Sequence, residues 1–179
     1  MGYYVRTLDN ASQFFMGKEH FDAAYKDMCL LNQLDEMKRG GSWSKDGVSA
    51  RDPRPEGMNY HPARWFSWMN ADYPSQLKTA PEILQELGFH LSFDSDGNIN
   101  GLSYDDKTGQ EELFLGAIAP YVQDGSRIVW MGEDGAIWVN DFGGNGEMLT
   151  QEVSLNNAIR NILDESMTTA VIKDALQEL

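Results

Sequence analysis

FHLSFDSDGNINGLSY, residues 89–104, alternates Phe89, Leu91 and Phe93 against His90 and Ser92, then turns at Asp96-Gly97 into a second extended run. Period-two alternation around an Asp-Gly pair is the signature of a β-hairpin. The layout recurs downstream, where SRIVWMG (126–132) and AIWVNDF (136–142) are joined by Glu133-Asp134-Gly135, and GGNG at 143–146 leads into a short strand, GEMLTQEV. Strands joined by hairpins predict a largely antiparallel sheet.

Between and around these strands the hydrophobic period changes to that of a helix. Residues 18–34 place Phe21, Ala24, Tyr25, Met28, Leu31 and Leu34 on one face. Thr79 followed by Pro81 and Glu82 opens a second helix, with Ile83, Leu84 and Leu87 buried and Gly88 ending it. A third, following the loop DDKTGQ, turns Leu113, Phe114, Ala117, Ile118 and Tyr121 inward. The aromatic GYYVRTL at the N-terminus and Phe14-Phe15-Met16 are predicted as further strands, and RWFSWM (64–69) as either a buried strand or a partner-binding surface, the core being favoured because large aromatics dominate core energetics. The expected fold is α+β: one domain over residues 1–153, with helices packed on one side of an antiparallel sheet. A helical tail over 154–179 follows, carrying Leu155, Ala158, Ile159, Ile162 and Leu163 and then Met167, Val171, Ile172, Ala175 and Leu176. Such a stripe suits either a homo-oligomer or docking on the chain's own sheet.

Composition narrows the class. With 41% hydrophobic and 23% charged residues, the 179-residue chain is expected to fold around a real core. It has no apolar run long enough to span a bilayer and no secretory layout at its start, so no membrane partner and a cytoplasmic location are expected. One cysteine, Cys29, and three histidines without ligand spacing predict no disulfide, no metal and no cofactor. Residues 1–60 hold eight Lys or Arg against nine acids, whereas residues 61–179 hold six against nineteen, so almost the whole net charge of -14 sits in the second part. A field of that sign repels phosphates and attracts basic partners, which argues against direct nucleic-acid binding.

The sequence carries no Walker lysine loop, Rossmann fingerprint or nucleophile elbow. Asp94-Ser-Asp96-Gly-Asn98 begins like a calcium loop but has Ile99 where glycine is needed and Asp105 where the bidentate glutamate belongs, so it reads as a hairpin turn. Asp105, Asp106, Glu111 and Glu112 read as solvated acids in a polar loop and a first helical turn, not as a catalytic pair. No catalytic residue is assigned, and the protein is expected to be non-enzymatic.

The exception in charge is MKRGGSWSKDGVSARDPRPEG, residues 37–57, which holds five of the chain's 14 basic residues. From Met37 to Pro62 no hydrophobic period is visible, and a long loop of this kind is usually either functional or disordered. Lys38, Arg39, Lys45, Arg51 and Arg54 could hold an anion, Gly40-Gly41 would let backbone amides approach it, Trp43 or Tyr60 could stack on a base, and His61 is the nearest histidine. Equally, these cations could clamp the loop onto the chain's own acidic part.

Several strings together, MGYYV, KRGGSW, PRPEGMNYHPARWFSWM, LSYDDKTGQEELFLGAIAPYV and GEDGAIW, resemble an uncharacterised family of small acidic proteins of bacteriophages and mobile elements. The resemblance covers most of residues 1–142 and implies an accessory protein acting inside an infected bacterium. On this basis the leading expectation is an anti-defence inhibitor that engages a basic host protein through Asp94, Asp96, Asp105, Asp106, Glu111, Glu112, Glu133 and Asp134. The alternative is a protein binding a nucleotide or signalling nucleotide through the loop 37–62.

Overall fold

A computed structural model describes residues 2–44 and 46–153. In chain order the strands are β1 (Tyr4–Thr7), β2 (Gly40–Gly41), β3 (Arg64–Trp65), β4 (His90–Phe93), β5 (Ile99–Ser103), β6 (Asp105–Lys107), β7 (Arg127–Gly132), β8 (Ile137–Phe142) and β9 (Met148–Glu152). The α-helices are α1 (Phe21–Leu31), α2 (Tyr73–Gln76), α3 (Ala80–Glu86) and α4 (Glu111–Ile118). One five-stranded sheet runs β6-β1-β7-β8-β9, antiparallel throughout, and β2-β3 and β4-β5 form two smaller ribbons. The α+β class and both predicted hairpins are therefore present.

Strand parity decides which side chains reach the core. Val5, Ile128, Trp130 and Phe142 point inward from the sheet and join Ala24 and Met28 of α1, Ile83 and Leu84 of α3, and Phe114, Leu115 and Ile118 of α4. Aromatic edges organise the contact: Phe66 meets Phe114 at 5.2 Å and Phe14 meets Phe142 at 5.7 Å, both nearly perpendicular, the favourable quadrupole geometry. The α3 start is a full capping box. Thr79 accepts from the Glu82 amide at 3.2 Å, and the Glu82 carboxylate reaches back to the Thr79 amide at 3.2 Å.

Three expectations are corrected. Phe14-Phe15-Met16 is a stitch, not a strand: Gln13 bridges to Arg127 on β7, and Met16 to Ile99 on β5. Of RWFSWM only Arg64-Trp65 is a strand; Phe66 is buried, but Trp68 is 55% exposed, with the left-handed φ of 69° that a bulky side chain rarely adopts. On α4 it is Leu115 that is fully buried, while Leu113 and Tyr121 only flank the core. Cys29 is a half-buried thiol whose pKa is raised by burial, in keeping with a packing role. The expected tail 154–179 lies outside the described residues.

Replacing Phe114 by Ala removes a fully buried ring and is expected to cost about 3–5 kcal/mol, while Thr79→Ala removes only the cap and should cost about 1 kcal/mol. Urea denaturation followed by fluorescence would rank the two.

Candidate functional site

The segment 37–62 is ordered around one carboxylate. Just beyond α1, Asp35 lies 8% exposed and takes three donors: Lys38 Nζ at 2.9 Å, Arg54 Nε at 2.5 Å and the His61 amide at 3.0 Å. Burial alone would raise the Asp35 pKa, but the hydrogen bonds from Lys38, His61 and Arg54 outweigh it and hold the carboxyl below its usual range. The Lys38 side chain is fully buried and lies over the rings of Tyr60 and Phe66, at 5.8 and 5.9 Å, and desolvation lowers its pKa against the pull of Asp35. Arg54 also donates to the carbonyls of Asn59, at 3.1 Å, and Gln33. His61 accepts the Ala63 amide at Nδ1, 3.1 Å, which leaves Nε2–H to donate to the Asp52 carbonyl at 3.0 Å.

The start of the segment, and the chain five residues beyond its end, are both fixed to the residue that precedes α4. Gln110, the residue before the helix, accepts the Arg39 and Ser67 amides at 3.0 and 3.4 Å and donates to the Met37 carbonyl at 2.5 Å. Lys38, Arg54 and His61, candidates for an anion site, are thus engaged by the protein itself. Arg39, Trp43 and Arg51 remain exposed, and Tyr60 lines a cavity of about 540 Å³ together with Cys29, Asn32 and Asp72. Lys45 lies outside the described residues.

The candidate acids separate into different environments. Glu111 is buried, correcting its reading as a solvated acid. Its carboxylate accepts Tyr104 Oη at 3.0 Å and the Gly109 amide at 2.7 Å, and burial together with Glu111 pushes the Tyr104 phenol strongly up. Asp94 braces its hairpin turn by accepting the amides of Asp96 and Asn98, both at 2.9 Å, and the Asn98 side chain and these amides hold its pKa down. Asp134 takes the Tyr3 hydroxyl and, at 3.0 Å, the Ala136 amide. Asp96, Asp105, Asp106, Glu112 and Glu133 are exposed; Asp105 and Asp106 lie on the edge strand β6, across β1 from the β7-β8 turn that carries Glu133.

A cavity of about 740 Å³ opens between α4 and the sheet. Its wall includes Val5, Leu115, Trp130 and Trp138, and its rim Glu112 and Glu152. The sequence reading singled out Glu112 but missed the tryptophans, Asn140, Thr150 and Glu152. Alternation in RIVWMG and AIWVN already placed Trp130, Trp138 and Asn140 with one parity; the location of α4 opposite them was the missing fact.

Among the described residues no group of three His, Cys, Asp or Glu is placed to hold a metal ion, and no helix is long and apolar enough to cross a membrane. No protein-family model, curated protein or solved structure matches the chain.

Removing Asp35 strands the buried Lys38 ammonium, so Asp35→Ala is expected to lose about 3–5 kcal/mol in chemical denaturation. Because the folded pKa of Asp35 is depressed, its contribution is complete above the unfolded carboxyl value of about 3.9 and disappears as pH falls through the folded value. The stabilities of the wild type and Asp35→Asn should therefore converge on acidification below about pH 4.

Proposed function

We propose that the protein is a non-enzymatic accessory protein of phage type that binds, and so inhibits, a basic host protein through its acidic surface. The observation that carries this reading is the distribution of ion pairs. Among the described residues, carboxylates within 4.0 Å of a cationic side chain are confined to Asp35 with Lys38 and Arg54, Asp141 with Arg127, and Glu19 with His20. The basic segment thus turns two of its cations onto one buried acid, while the exposed acids of the second part face solvent without neutralisation. Such a surface raises encounter rates with cationic partners and repels polyanions. The resemblance to acidic phage proteins supplies the expected setting, an infected bacterial cell.

The test is retention of a bacterial lysate protein on immobilised full chain, followed by reconstitution with that protein purified and an assay of its activity. Retention at about 50 mM salt, release at about 1 M, where the screening length falls to about 3 Å, and loss of both binding and inhibition in Asp105→Asn/Asp106→Asn/Glu133→Gln are expected. Equal retention by the variant, or no salt-labile partner at all, would refute the reading.

One observation favours the second reading, nucleotide binding. Trp43 is 71% exposed in the same segment as the exposed Arg39 and Arg51. A nucleotide at 100 times its dissociation constant would add about 2.7 kcal/mol of stability, an increment that Arg39→Ala should abolish. A flat thermal-shift panel removes this alternative.

A further inference from the structure

The groove between α4 and the sheet joins an aromatic wall to an acidic rim. Across the sheet, Trp130 stands opposite Trp138 and Trp138 opposite Glu152; in the next inward row Ile128, Asn140 and Thr150 stand in line. The two indoles are stacked, with centroids 6.1 Å apart and planes 6° from parallel. The Trp130 indole is fixed by a run of hydrogen bonds that ends on the rim, and Trp138 is held against it by the stacking. Trp130 Nε1 donates to Asn140 Oδ1 at 2.6 Å, Asn140 Nδ2 to Thr150 Oγ1 at 2.8 Å, and Thr150 Oγ1 to Glu112 Oε1 at 3.1 Å. From the helix side, Leu115 lies one turn along from Glu111 and closes the apolar wall with Val5.

The chemistry of this lining selects its occupant. Among the described residues no Lys, Arg or His lines the groove, and neither Glu112 nor Glu152 is within 4.0 Å of a cation. An anion would meet uncompensated carboxylates, and a neutral apolar group would desolvate them without offering donors. An ammonium is compact and strongly hydrated. A guanidinium is planar and weakly hydrated, stacks on indoles and forks onto carboxylates, so it satisfies both the wall and the rim.

We infer that this groove receives an arginine side chain presented by the basic partner, stacked on the Trp138 face of the indole pair and paired with Glu112 and Glu152. The inference rests on the acidic-surface reading and gives it a specific anchor; such buried arginine contacts commonly carry much of an interface's energy.

The experiment titrates isotope-labelled full chain with a tetra-arginine peptide, its tetra-citrulline counterpart, which is neutral and of nearly the same shape, and tetra-lysine, following the indole N–H resonances of Trp130 and Trp138. The arginine peptide should move both resonances, citrulline neither, and lysine should bind more weakly. Glu112→Gln/Glu152→Gln should weaken the arginine peptide at least about tenfold, as expected when both carboxylates that a guanidinium would pair with are lost. If the arginine peptide binds in a salt-sensitive way, yet leaves these indoles unmoved and binds the double variant equally, the groove assignment is overturned while the acidic-surface reading stands. Equal shifts with citrulline overturn the charge argument. Indole shifts that follow protein concentration instead of peptide would assign the groove to a second copy of the chain and also overturn the inference. Absence of any peptide binding refutes the groove, and the lysate retention above then decides the broader reading separately.

Discussion

The carboxylate of Asp35 is the constraint on which the middle of this protein depends. It sits four residues beyond α1 and is reached by donors from positions 38, 54 and 61. One acid therefore folds back a segment that has little hydrophobic surface of its own. Burying a carboxylate is costly unless its lone pairs are filled, and here they are. The segment so gathered carries β2 onto β3 and, through Gln110, fixes the start of α4. Since α4 forms one wall of the tryptophan groove, the basic segment contributes to the acidic site without lining it.

This arrangement also explains how so acidic a chain stays compact. Repulsion between like charges is tolerable where they are solvated and spread over the surface. The cations nearest the helical layer are used inside, where each meets an oriented acceptor, while the excess acid is left on strand edges and turns. Glu111 and Asp94 show that even some acids are structural: each binds backbone amides that would otherwise lack partners at a helix start or a turn.

Features written in local chemistry were readable from the sequence. The hairpin at Asp96-Gly97, the Thr79 cap and the strand parity of residues 127–142 follow from turn residues, capping residues and alternation within a few positions. The order within 37–62 was not readable, because its organising acid lies before the segment and its partners are 3, 19 and 26 residues away. For the same reason Lys38, Arg54 and His61 looked available for a ligand. Glu111 looked solvated because its partner Tyr104 lies seven residues earlier, on the far side of strand β6, and Trp68 looked buried because nothing local signals its positive φ. The groove required knowing which helix crosses which strands, a fact of tertiary structure alone.

The position of β1 has a consequence for the order of assembly. The first strand of the chain lies inside the sheet, flanked by β6 and β7, whose partner residues come about a hundred positions later. On the ribosome, β1 emerges long before either neighbour exists and must wait with both hydrogen-bonding edges open. β1 can pair with β7 only after Gly132 has left the exit tunnel, a long loop-closure step that slows folding. During that interval the aromatic GYYVRTL segment is an unpaired strand that the nascent chain leaves exposed.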